Sequence, residues 1–178
     1  AQNNVARILA WKEQGIPVIA CCTSCSLMLK QEYAELFAEE SMKEAGTNVY
    51  DAFEYLELMQ DNGELDQDFR PVEQRLLYHI PCHLKSQGIG TPAADILRDI
   101  PGVQLELADA GCCGMSGNYG FKKDKYEISM NFFFQAEDGI RDYQADKVIC
   151  DCGTCRLQIN HGTQVKTCHP IEILSQAY

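Results

Sequence analysis

Lys147-Val148-Ile149-Cys150-Asp151-Cys152-Gly153-Thr154-Cys155 is the stretch on which the fold turns. An apolar β-branched run leads straight into a Cys-x-x-Cys, so it reads as a buried strand that turns into a helix, here through Ile159. The same pattern stands near the start. Pro17 to Cys21 is a short strand, and Cys22-Thr23-Ser24-Cys25 follows where it becomes a helix, with Leu27, Met28, Leu29, Tyr33, Leu36 and Phe37 at helical spacing. Between the two lie Arg75 to Ile80, a strand ending at Pro81-Cys82-His83, and Val103 to Ala108, a second one. Thr91-Pro92 opens a helix through Leu97, with Thr91 as N-cap and Pro92 at the first helical position. Gln164 to Thr167 is a further strand, and His169-Pro170 starts a last helix, Ile171 to Gln176. Ahead of them, Asn3 to Gln14 reads as a helix. Val49, Phe53, Leu56 and Met59 or Gln60 mark another, ended by Asp61-Asn62-Gly63 and followed by a polar loop to Arg70-Pro71. Strands alternating with helices predict an α/β fold of mostly parallel sheets flanked by helices. In such sheets ligands gather where strands end, and every cysteine group here follows a strand.

The 178 residues suffice for one ordinary domain or two small ones, and 46% apolar with 23% charged residues excludes disorder as the main state. The longest uncharged stretch, Gln14 to Leu29, is broken by Pro17 and three cysteines, so no transmembrane helix is expected. The chain opens on Ala1 rather than Met, which suggests a fragment or a processed chain. Fifteen bases against 26 acids give a net charge of −11, which argues against a nucleic-acid binder. Thirteen of the acids and only two bases lie between Gln31 and Gln74, a segment read as a solvated helical face.

Ten cysteines, at 21, 22, 25, 82, 112, 113, 150, 152, 155 and 168, are the strongest compositional signal. The apolar-periodic segments can build a core without staples, and adjacent cysteines such as Cys112 and Cys113 pair poorly. A reduced compartment and a metal site follow. Cys82, Cys112-Cys113-Gly114 and Cys152-x-x-Cys155 hold five thiols, too many for one tetrahedral zinc but suited to a polynuclear iron–sulfur centre. Glycines at 111, 114, 117 and 120 let backbone N–H groups approach sulfur closely. Two rival readings stay open: a thioredoxin-like dithiol at Cys152 and Cys155, which leaves three cysteines unused, and a structural zinc module. Cys150 and Cys168 read as packed thiols. His79 and His83 read as packing beside Cys82, or as groups supporting a metal or moving a proton. His169 reads as a helix start, His161 as a loop residue, and Asp151 as orienting its turn through backbone hydrogen bonds. Lys122, Lys123 and Lys125 form the only basic cluster, read as solvated rather than as meeting a partner or lipid. Residues 131–143, with three consecutive Phe before an acidic turn, break the helical pattern expected ahead of Lys147. They resemble a translated sequencing adapter, and no function is assigned to them.

Taken together, Pro81-Cys82-His83, Gly111-Cys112-Cys113-Gly114 and Asp151-Cys152-Gly153-Thr154-Cys155 resemble the CCG, or cysteine-rich, domain family. Its members include heterodisulfide reductases, glycolate and lactate oxidation subunits, and anaerobic glycerol-3-phosphate dehydrogenase. The Gly117-Asn118-Tyr119-Gly120-Phe121-Lys122-Lys123 stretch and Cys168-His169-Pro170-Ile171 are most similar to the C subunits of the last group. The resemblance implies Rossmann-like CCG repeats, one truncated within residues 1–74 and one complete within 75–178. It also implies a noncubane [4Fe–4S] cluster on Cys82, Cys112, Cys113, Cys152 and Cys155, with Cys22 and Cys25 in a truncated first site. The implied role is electron relay from flavin-containing dehydrogenase subunits to a membrane quinone, menaquinone, at the cytoplasmic face of the inner membrane. The alternatives within the family are a heterodisulfide-reductase-like cluster that is itself the catalyst and a lactate or glycolate oxidase iron–sulfur subunit.

Overall fold

The computed structural model describes residues 1–108, 111–131 and 144–178 in full and the helical backbone of 132–136. The chain begins with α1 (Gln2–Lys12), β1 (Val18–Ala20) and α2 (Thr23–Leu27), which runs through a π-helical turn, Met28–Glu32, into α3 (Tyr33–Phe37). Then come α4 (Glu40–Gly46), β2 (Val49–Asp51) and α5 (Ala52–Asp61). β1 and β2 pair in parallel, Val18 opposite Val49. Val49 therefore belongs to a strand and not to the helix in which its spacing placed it. The helical period starts only after Asp51, whose carboxylate accepts from Phe53 N while Glu54 reaches back to Asp51 N, a capping box.

The second part contains β3 (Gln74–Tyr78), α6 (Cys82–Gln87), α7 (Pro92–Arg98), β4 (Val103–Leu107), α8 (Tyr126–Ala136), β5 (Lys147–Ile149), α9 (Gly153–Thr163), β6 (Thr167–Cys168) and α10 (Pro170–Leu174). Its sheet has the order β4-β3-β5-β6, and every pairing is parallel. Three details depart from expectation. Cys82 opens a helix rather than closing a strand, because Pro81 is extended and serves as its N-cap. Gln164 adopts a left-handed φ of 62° that stops α9, so the last strand begins later, at Thr167. Thr91 holds the N-cap position of α7, but its hydroxyl makes no capping hydrogen bond. The helix expected before β5 is present as far as Ala136, and the remainder of the Phe-rich string, 137–143, lies outside the described residues.

Successive side chains along a strand point to opposite faces, and this divides the core. Leu76, Tyr78 and Ile149 pack with Phe53, Phe69, Leu97, Ile100 and Ile173 on one face. Leu77 and Val148 pack on the other, with Cys113, Cys150, Cys152, Cys155 and Ile159. The parity of β5 thus sends Val148 and Cys150 to the thiol side. Phe53, Phe69 and Val72 enter the first of these cores from residues before 75, so the two parts share it. Within the acidic segment Asp51 is the buried exception, 2% exposed. Among the described residues no helix is long and apolar enough to cross a membrane.

Candidate metal centre

Each cysteine group lies beyond the carboxyl end of a strand, and the sheet order brings the groups together. Cys113, in the loop after β4, and Cys155, in the first turn of α9, approach to 3.1 Å between sulfurs, in contact but unbonded. Cys150 and Cys152 also touch the Cys155 sulfur. Cys82, at the start of α6, faces Cys112 and Cys113 closely enough for their charges to bear on it. The five cysteines expected to act together are therefore neighbours. Cys113, Cys152 and Cys155 are buried, and Cys82 and Cys112 reach the surface.

The other two expected cysteines adjoin this group. Cys22 Sγ accepts from the N–H of Gly153, and Cys25 lies near Cys152, so the two Cys-x-x-Cys turns meet across the sheets. A cleft of about 620 Å³ opens there, lined by Cys22, Gly153, Arg156 and Thr167 among others.

The thiols do not share one proton affinity. A hydrogen bond from Cys155, together with the Thr154 hydroxyl and the N–H groups of Cys155 and Thr154, outweighs burial and brings Cys152 down to about 4. Cys113 is lowered chiefly by its contact with Cys155, and Cys155 is raised by donating to Cys113, Cys150 and Cys152. Desolvation raises Cys82, and the neighbouring thiols add to it. Without a cation, such a packed set holds only some of its members as thiolates, since like charges in mutual contact disfavour ionisation. A multiply charged metal core removes that restriction, and an all-sulfur donor set of this size fits an iron–sulfur cluster.

The loop bearing Cys112 and Cys113 is pinned from below. Ser129 Oγ donates to Gly114 O at 2.8 Å, and Gln158 Nε2 donates to Ser129 Oγ at 3.0 Å. Gly120 leaves this chain its space, for a Cβ there would stand 2.4 Å from Ser129 Oγ. Gly114 itself has a φ of 79°, a conformation that a side chain would strain. Neither Ser129 nor Gln158 stood out in the sequence. Cys150 carried a signal, since it lies two residues before Cys152 and shares the strand parity of Val148.

Asp151 accepts a backbone N–H, its own, as expected, but it does more than orient its turn. Its carboxylate accepts from the buried Tyr78 hydroxyl at 2.5 Å, tying the end of β5 to β3. Burial, opposed by that hydrogen bond, pushes its pKa from 3.8 up to about 6. The folded chain thus binds this proton more tightly than the unfolded chain. Stability falls as pH rises from about 4 through about 6 and is level above, a loss of about 3 kcal/mol. In metal-free protein, Asp151→Asn is expected to flatten this slope and to raise the urea midpoint at pH 7 but not at pH 4. An unchanged slope would refute it. Other residues keep modest roles: His169 caps α10 by accepting from Ile171 N, and His161, which lies on α9 rather than in a loop, is exposed and meets Tyr126 OH at 2.6 Å. Lys125 pairs with Asp124 at 3.2 Å.

Residues 76–160 match the family model of the cysteine-rich domain CCG. The C subunit of anaerobic glycerol-3-phosphate dehydrogenase from Escherichia coli (strain K12) is 35% identical over 164 residues, covering 92% of this chain and 41% of the relative. The B subunit of fumarate reductase (CoM/CoB) from Methanothermobacter marburgensis is 33% identical over 170 residues, 90% of this chain and 32% of that one. An iron–sulfur protein of Methanocaldococcus jannaschii is 28% identical over 143 residues, 80% and 26% respectively. The chain spans about two fifths of the length of the first of these relatives, 41%, and less of the other two. The matched stretch takes in all five clustered cysteines, together with Cys150 and His79.

Proposed function

We propose that the chain is part of an iron–sulfur electron-transfer subunit that relays electrons from flavin-containing dehydrogenase subunits to menaquinone in an anaerobic glycerol-3-phosphate dehydrogenase. Cys82, Cys112, Cys113, Cys152 and Cys155 hold a [4Fe–4S] cluster of the noncubane type. When bound, the cluster accepts and gives up single electrons. The observation that carries this reading is the 3.1 Å approach of Cys113 and Cys155 from separate strand ends, with the other three cysteines around them. Five thiols exceed the needs of one zinc. A dithiol at Cys152 and Cys155 leaves the contacting Cys113 without a role.

The residues divide the work. The buried Cys113, Cys152 and Cys155 exclude water from their side of the centre, while the exposed Cys82 and Cys112 lie where an electron partner can come near. Ser129 and Gln158 hold the Cys112–Gly114 loop in place.

Residues 1–74 are read as the remainder of a first CCG repeat, with Cys22 and Cys25 in its site, and residues 75–178 as the second. The local structure supports this. β1, its Cys-x-x-Cys, β2 and the capping box of Asp51 follow the same course as β5, its Cys-x-x-Cys, β6 and the capping box of His169. The protein is placed peripherally on the cytoplasmic face of the inner membrane.

One observation favours a second reading. The cleft between the two Cys-x-x-Cys turns has room for a small molecule, as a catalytic, heterodisulfide-reductase-like cluster requires. The test of the main reading is iron and acid-labile sulfide content with EPR on anaerobically purified protein. About four irons and an electron-paramagnetic signal on one-electron reduction or oxidation are expected. Equimolar zinc without iron would overturn it. Turnover of a low-molecular-weight disulfide by the loaded protein would select the second reading.

A further inference from the structure

His79 is the buried group that the proposed centre leaves without a task. It follows β3, its backbone N–H donates to Ile149 O at 3.0 Å, and the residue is 2% exposed. Its Nδ1 is buried and has no hydrogen-bond partner. A stranded polar atom of this kind costs about 1–3 kcal/mol. An imidazole nitrogen of His79, Cys150 Sγ and Cys155 Sγ all lie within 4.8 Å of one another.

The sulfurs show the reverse pattern. Cys82 takes the N–H of His83, and Cys112 takes that of Gly114 at 3.4 Å. Cys113 takes the N–H of Met115, and Cys152 takes those of Thr154 and Cys155. Cys155 is surrounded by the sulfurs of Cys113, Cys150 and Cys152, and among the described residues no N–H or hydroxyl donates to it. A metal-bound thiolate is stabilised by N–H donors, and hydrogen bonds to ligand sulfurs are a lever on cluster potential. One sulfur without a donor thus stands within 4.8 Å of an imidazole that has a buried nitrogen without a partner.

We propose that His79 is a positioning residue of the metal centre, its imidazole N–H donating to the Cys155 thiolate when Cys155 is a ligand. It rests on the iron–sulfur reading. Cys150 packs against the same sulfur and receives the N–H of Cys152 at 3.5 Å. A donor to ligand sulfur favours the more negative, reduced state of the centre. Its removal therefore lowers the reduction potential.

The experiment compares the full chain with His79→Leu, His79→Asn and His79→Gln, all purified anaerobically, for iron and sulfide, EPR spectrum and midpoint potential. Leu keeps bulk without a donor, while the two amides return an N–H near one or the other ring-nitrogen position. Equal iron in all four is expected, with a lower potential and altered spectrum in His79→Leu and a return toward wild type in one amide variant. Should His79→Leu fail to fold by circular dichroism, the amide pair decides. One then keeps the wild-type potential and the other falls below it. Identical potentials and spectra throughout would overturn the proposal. So would loss of iron from all three variants in folded protein, which makes His79 a ligand. Wild-type protein without iron and sulfide would defeat the iron–sulfur reading and this proposal together, whereas iron without a shift defeats this proposal alone.

Discussion

Cys113→Ser, purified anaerobically, is expected to lose most of its iron and acid-labile sulfide while keeping its secondary structure. Cys113 is 4% exposed and touches Cys155 across 3.1 Å, so it lies at the meeting of the loop after β4 with the first turn of α9. A serine oxygen is harder, shorter in reach and far less acidic than a thiol, and it would not replace a thiolate ligand to iron. The small change in side-chain volume leaves the surrounding core intact. Iron content, sulfide content and far-UV circular dichroism decide the matter. Wild-type iron in the serine variant would remove Cys113 from the ligand set. The same substitution at Cys150, which lies outside the proposed ligand set, is expected to keep the iron.

Phe53→Ala is expected to lower stability by about 3–5 kcal/mol, a large part of the 5–15 kcal/mol typical of a domain. Phe53 is 1% exposed and stacks on the His169 ring with centroids 6.2 Å apart. It comes from α5, yet its core partners run from Phe69 to Ala177. The cost should therefore appear as a shift of one cooperative transition covering both parts of the chain. If the halves were independent, the variant would show two transitions, the later one unmoved. Leu58→Ala, on the same helix but 41% exposed, is expected to change stability by no more than about 0.5 kcal/mol.

The strand-then-Cys-x-x-Cys pattern was readable because a β-branched run and a helix start leave marks in adjacent residues. Val148 and Ile149 are fully buried, and Gly153 begins α9 as the pattern requires. β2 was not readable. Its three residues run into a helix whose Phe53 and Leu56 extend a period that also catches Val49, and only the pairing with Val18 separates them. At the centre, the five cysteines stood out by type and spacing. Their supports did not, because Ser129, Gln158 and Tyr78 are common residue types whose role depends on what faces them. Asp51 hid within an acidic run, although Ser26 donates to its carboxylate at 2.9 Å and Gln87 Nε2 donates to Ser26 Oγ at 2.9 Å across the two parts. His79 drew notice only as a neighbour of Cys82. That its Nδ1 lacks a partner is a fact of three dimensions.

Parallel pairing throughout has a consequence for how the chain assembles. No two of these strands can zip from a hairpin, and each pairing waits for a crossover to close. β3 with β4 and β5 with β6 span modest lengths of chain, but Leu76 meets Lys147 only after the longest closure among the pairings. Cys82, Cys112 and Cys113 arrive with one side of that seam and Cys150, Cys152 and Cys155 with the other. With the proposed ligands drawn from both sides, bound iron and sulfide would hold that seam closed, so the rate of native sheet formation is expected to rise with iron and sulfide supply.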